Sequence, residues 1–153
     1  MICLKKINEN GILPKDIEKL DSKVIITFSF STLDEKVAKI FEPNAPNINR
    51  RLKAIKKLKD EEFLVGVSLM PLLPFISDSY ESIDKIISIF SDIEVDYVFG
   101  GSLTLFGERD NDSKTKYYKI LNENFPKFVE PTKIFLKKKN ILILAIKIIF
   151  IKI

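Results

Sequence analysis

Few side chains in this sequence are equipped for chemistry, and their spacing narrows the options further. Thr27, Ser29 and Ser31 recur at every second position, with Phe28 and Phe30 between them. In an extended strand that alternation sends hydroxyls to one side and aromatic rings to the other. Rings packed under helices and hydroxyls turned toward a ligand-bearing interior would suit a strand of a barrel. Glu42, Arg50 and Arg51 are the next candidates. The two arginines fall in the first turn of a helix expected over 48–59, where a cation opposes the helix dipole. They therefore call for an anionic partner, either Glu42 or a ligand carboxylate. The nearest carboxylate pair, Asp34 and Glu35, is accounted for by helix capping.

What the composition lacks is as informative. There is no histidine, which removes imidazole bases, His-ligated metals and Ser/His or Cys/His nucleophiles. Cys3 is the single cysteine, so an internal disulfide, a CxxC pair and a cysteine-held cluster are excluded, and Cys3 is read as a small apolar side chain. Gly100 and Gly101 predict a bulge or a close backbone approach, and no phosphate-loop spacing follows them. The net charge of +4 comes from lysines dispersed over helix faces, which permits nucleic-acid binding without indicating it. No catalytic residue and no metal ligand is assigned. The amino terminus does not read as a signal peptide, and a cytoplasmic location is expected.

The elements that must position these residues follow from periodicity. A strand over 24–30 leads into Thr32-Leu33-Asp34-Glu35, which fits a capping box, with Leu33, Val37, Ile40 and Phe41 on one helical face. Pro43 and Pro46 stop that helix. The helix over 48–59 turns Ile48, Leu52, Ile55 and Leu58 inward, and its lysine face is either solvated or turned to nucleic acid. The apolar run 63–70 reads as a buried parallel strand ending at Pro71-Leu72-Leu73-Pro74. A helix opening at Asp78 has Tyr80, Ile83, Ile87 and Phe90 as its core stripe. A third strand over 96–104 and a helix over 114–124, with Tyr117, Tyr118 and Leu121 inward, complete the series. Residues 1–22 form a connector with a fragment of helix, and 133–153 form an apolar Ile/Lys-rich tail. The segment ILILAIKIIFIKI is too short to span a bilayer and is interrupted by Lys147. It is either a strand added to a sheet edge or the readout of a disrupted frame, and exposed it would promote aggregation.

The stretches ITFSFSTLDEKVAKIFEPNAPNINRRLKAIKKL, VGVSLMPLLPFISDSYESIDKII and YVFGGSLTLFG resemble the later half of radical SAM enzymes. The branch they are most similar to is the spore-photoproduct-lyase-like, DNA photolyase-related one, and the match runs over about residues 23–126. The Ser31-Thr32-Leu33-Asp34-Glu35 step, the Glu42-Pro43, Ala45-Pro46 and Arg51-Leu52 spacing and the paired prolines Pro71 and Pro74 carry it. The family's CxxxCxxC motif is absent. The resemblance implies an α/β fold, a partial (β/α) barrel of about three parallel βα units spanning 23–132. It also implies a chemistry in which a 4Fe–4S cluster cleaves S-adenosylmethionine to a 5′-deoxyadenosyl radical. In the lyase itself that radical acts on a thymine photoproduct in DNA. Ser29 and Ser31 would then bond the nucleoside or methionyl part, Glu42 and Arg51 would hold charged groups, and Pro71 and Leu72 would lie against the adenine. Three strands cannot close a barrel, so the missing half would come from a separate chain carrying the N-terminal barrel half, or from self-association, or the chain would be only marginally folded. Without cluster ligands the chain is expected to be inactive alone. The alternative is a non-catalytic remnant or assembly module that keeps the α/β scaffold.

Overall fold

In the computed structural model, which describes residues 24–139, three strands run parallel in the order β1 (Ile25–Ser29), β2 (Leu64–Leu72), β3 (Tyr97–Ser102). The 1–22 connector with Cys3, and residues 140–153 of the tail, lie outside the described residues. Helices α1 (Glu35–Phe41) and α2 (Ile48–Asp60) join β1 to β2, and α3 (Tyr80–Asp92) joins β2 to β3. After β3 come α4 (Ser113–Asn124), a 3₁₀ turn (Pro126–Phe128) and α5 (Val129–Lys139). The expected α/β class with three parallel strands is what is found.

Register explains where the core sits. Ile26 pairs with Val65, Phe28 with Val67, and Val67 with Val98, so these side chains share one face of the sheet. Ile48, Ile55 and Leu58 of α2 and Ile86 and Phe90 of α3 pack against that face. Phe30 and Phe90 meet there with ring centroids 5.2 Å apart. Each such apolar side chain, fully withdrawn from water, contributes about 1.5–3 kcal/mol. Crossovers between neighbouring parallel strands are right-handed, and two of them advancing in the same direction put their helices on the same side. Among the described residues the sheet is therefore wound on one side only.

A second apolar cluster lies past the carboxyl ends of the strands. Leu73 follows β2 and Leu103 follows β3, and both pack with Tyr117 and Leu121 of α4. Val37 and Phe41 of α1 and Leu136 of α5 close around them. Phe75 stacks on Phe128 at 6.1 Å and meets Phe135 edge-on at 6.0 Å. Burial, with the neighbouring Tyr118 adding to it, pushes the Tyr117 phenol up to about 12. Helix α5 runs through the expected boundary between 132 and 133.

Local signals differ from expectation in two places. The residue capping α1 is Asp34, whose carboxylate accepts from Lys36 N at 2.8 Å and Val37 N at 3.1 Å. Thr32 Oγ1 instead accepts from Asp34 N at 3.0 Å, and Glu35 leaves its own helix to accept from Ile48 N at 2.8 Å. An ionised acceptor outcompetes a hydroxyl for first-turn N–H groups, and Glu35 meets a second helix start that the sequence order hides. Tyr80 is 93% exposed and leaves the core stripe to Ile83, Ile86, Ile87 and Phe90. Ser79 caps α3, so Tyr80 is its first residue, and the 3.6-residue period counted back from Phe90 passes it by. Among the described residues no helix is long and apolar enough to cross a membrane.

The start of β3 is tied to β2 through Asp96. Its carboxylate accepts from Val65 N at 2.6 Å and from Lys59 Nζ at 2.8 Å, while its own N–H donates to Val65 O at 2.8 Å. Burial pushes the Asp96 carboxyl up, but the Lys59 and Val65 hydrogen bonds together outweigh it and hold the group below its ordinary 3.8. Asp96→Asn is expected to cost about 1–2 kcal/mol at neutral pH, the scale of hydrogen bonds to a charged group. A folded-state pKa below the unfolded one contributes stability above the unfolded value and loses it as pH falls through the folded one. Urea titrations should thus find the wild-type advantage constant above about pH 5 and shrinking below 3.8. A gap that persisted undiminished to pH 2 would contradict the assignment.

Candidate functional site

Two clusters of polar and aromatic side chains stand at the sheet, one between the exit of β1, the end of α1 and the start of α2, and one on the face the described helices leave uncovered. The first is built around Arg51. One Nη1 donates to Ser29 O at 2.7 Å and to Glu42 Oε2 at 2.9 Å. The guanidinium lies over the Phe30 ring, 4.4 Å from its centroid, a cation–π contact in a site that is nearly dry. Glu42 Oε1 in turn accepts from Ser31 N at 2.9 Å and from Ser31 Oγ. Ser31 sits two residues past the end of β1 and is buried. The four groups form a clamp that joins the strand exit to both following helices. Between the two anionic partners open to Arg51, Glu42 is the one in contact. Arg51 Nε–H is buried without a hydrogen-bond partner, which leaves the clamp one unused donor.

The second cluster occupies the uncovered face. Register places Thr27 and Ser29 of β1, Gly66 and Ser68 of β2, and Tyr97 and Phe99 of β3 side by side there. Tyr97 lies flat across Gly66 and reaches Thr27, its Oη 2.5 Å from Thr27 Oγ1. A Cβ at position 66 would fall 2.0 Å from the ring, so glycine is required for the ring to lie there. Met70 covers Gly101 in the same way, 2.6 Å from where a Cβ would stand. Tyr97 and Phe99 stack with centroids 6.1 Å apart and planes 21° from parallel. Ile25 is 54% and Met70 47% exposed on this face. It offers hydroxyls, a pair of flat rings and apolar rims, chemistry suited to holding a planar or apolar group.

The six residues expected to bind a nucleoside cofactor therefore divide. Ser29 is exposed on the uncovered face, as expected of an inward-turned hydroxyl. Ser31 does not join it: β1 ends at Ser29, and Ser31 turns into the clamp with Glu42 and Arg51. Pro71 follows Met70 through a cis peptide bond and Leu72 packs half-buried against the main core, both at the register shift between β2 and β3. Sequence reasoning missed Tyr97 and Phe99 as site residues. Their two-residue spacing within the third strand was the available signal.

The clamp and the ring platform can be tested separately. Glu42→Ala leaves the Arg51 charge buried without its anion and should cost about 3 kcal/mol in chemical denaturation. The Glu42→Met/Arg51→Met double variant should recover much of that loss, since it removes both desolvated charges. Gly66→Ala should displace Tyr97, costing about 1–3 kcal/mol and abolishing the Thr27–Tyr97 bond, read from the tyrosine ring resonances. Unchanged Tyr97 resonances would contradict the platform geometry.

No known protein-family model matches the chain, and no solved structure matches it. It is similar to "Uncharacterized protein ORF301" of Acidianus two-tailed virus, 37% identical over 98 residues. The match covers 60% of this chain and 33% of that protein, so the chain spans about a third of the length of the relative.

Proposed function

We propose that this chain is the S-adenosylmethionine-facing segment of a radical SAM-type βα barrel, of the spore-photoproduct-lyase-like branch, and that it carries out no radical chemistry by itself. The observation that supports this reading is the sheet: consecutive parallel strands with their helices on one side, hydroxyls and rings on the other. A barrel is built from that repeat, and its uncovered face is the one a closed barrel turns inward. The resemblance over the first strand, the Glu42 to Arg51 spacing and the prolines after β2 adds the family.

The residues present do not fit the iron–sulfur cluster. The chain has one cysteine, and among the described residues no group of three His, Cys, Asp or Glu could hold a metal. The fit to the nucleoside cofactor is partial: Ser29 is available on the uncovered face, while Ser31, Glu42 and Arg51 bond one another. In this reading the ring platform and Ser29 orient the cofactor, and the chemistry belongs to thiols supplied by another polypeptide.

A second reading is favoured by the clamp itself. With Ser31, Glu42 and Arg51 bonded to one another, the chain could serve as a non-catalytic scaffold or assembly module. Anaerobic titration of S-adenosylmethionine, followed by backbone amide resonances, separates the two. The barrel reading expects saturable shifts confined to β1–β3, weakened at least fivefold by Ser29→Ala. Absence of saturable shifts at millimolar ligand would leave the scaffold reading. A purified sample that built a redox-active cluster and cleaved the cofactor would overturn both.

A further inference from the structure

We propose that the outer face of α2 is a docking surface for the phosphodiester backbone of double-stranded nucleic acid, held without regard to base sequence. The inference does not rest on the barrel reading, because this face lies on the helix side of the sheet, away from the strand hydroxyls and rings proposed to meet a cofactor. Its ground is where the charge sits. Helix α2 carries Arg50, Arg51, Lys53, Lys56, Lys57 and Lys59 against the single acid Asp60. Six cations and one anion leave it at +5, more than the +4 of the whole chain, so all the other residues together carry −1. The net positive charge, expected to be dispersed over helix faces, is concentrated in one element.

The fold then sorts these cations. Arg51 turns inward to the clamp, and Lys59 pairs with Asp96. The exposed residues of the helix are Asn49, Arg50, Lys53, Lys56, Lys57 and Asp60, while Ile48, Ile55 and Leu58 are buried against the sheet. Lys53 stands three positions from Arg50 and Lys56 and four from Lys57, so like charges are neighbours on one stripe. That arrangement lowers the stability of a helix. Lys53 and Lys56 have no carboxylate partner among the described residues. Solubility alone does not call for a single sign of charge. Helix α3, on the same side of the sheet, mixes Glu81, Asp84 and Asp92 with Lys85.

The kind of anion follows from what the stripe lacks. None of its exposed side chains is apolar, and the apolar face of the helix is used in the core, so it has nothing to insert into a bilayer. None is aromatic, which removes the stacking platform that single strands use. A protein partner would be anchored by buried aromatic side chains, which the stripe does not offer. The backbone of a duplex asks for point charges at a matching density. Arg50 to Lys57 spans about 10 Å of helix, a length over which a duplex presents about six phosphates. The inner half of α2 is buried, so the helix lies along the backbone without entering a groove, and base edges are not read.

Fluorescence anisotropy of the full-length chain with two short duplexes of unrelated sequence tests this. The two should bind within twofold of each other, with log K falling against log salt at a slope of about −3 to −4 for the four exposed cations. Lys53→Gln/Lys56→Gln should flatten the slope by about 2 and weaken binding at least tenfold at about 50 mM salt. Lys116→Gln/Lys119→Gln removes the same charge from exposed positions of α4, and should change affinity less than twofold with the slope unaltered. Equal losses in the two double variants would show that net charge, not this face, governs binding. That result, a tenfold preference for one duplex, tighter binding to anionic phospholipid vesicles than to duplex, or no binding at about 50 mM salt would each overturn the proposal.

Discussion

A parallel strand has two apolar faces, and this sheet is given helices on one of them. Most of what is distinctive in the fold is an answer to that imbalance. On the helix side the solution is ordinary: branched and aromatic side chains of β1, β2 and β3 interdigitate with α2 and α3. On the other side, among the described residues, the cover is local and comes from the sheet itself. Tyr97 lies down over Gly66 of the middle strand and Met70 over Gly101 of β3, so both strands are shielded by side chains rooted on the sheet itself. Gly66 is buried for this reason and Ser68 is buried as well, while Ile25, Leu64 and Met70 at the margins are not.

The clamp between β1 and its following helices solves a different problem. A charged arginine in a nearly dry site is unfavourable unless paired, and the desolvation of both partners consumes much of what the pairing returns. Here the carbonyl of Ser29, the Glu42 carboxylate and the Phe30 ring all engage the same guanidinium, and Ser31 steadies the carboxylate from its far side. Such an arrangement contributes less to net stability than to geometry. It fixes how the chain turns from β1 into α1 and where α2 begins, with Glu35 adding a carboxylate to the start of α2.

At the carboxyl ends of the strands the second cluster stands. Leu73 and Leu103 are buried beneath α4 and α5 in place of facing solvent. In the proposed reading, a ligand would meet Ser29, Tyr97 and Phe99 across the uncovered face more than Pro71 and Leu72 at the strand ends. This shifts the weight of the candidate site from the loops to the strands.

The sequence by itself determined the local order of the chain: three apolar or alternating stretches, the helices between them, their caps to within a few residues, and the absence of thiols and imidazoles. Period and composition are properties of neighbouring residues, so they are legible before folding. It also exposed Arg51 as a cation in need of an anion, since a helix start disfavours positive charge wherever it occurs. The tertiary structure alone decided which anion answered, because Glu42 and Arg51 meet through a turn whose path no periodicity encodes. It decided likewise that Ser31 leaves the hydroxyl face, that Tyr80 stands in solvent, and that Tyr97 crosses a neighbouring strand to reach Thr27. Each of these depends on register between segments far apart in the chain, and register is set by how the faces pack together, not by any segment alone.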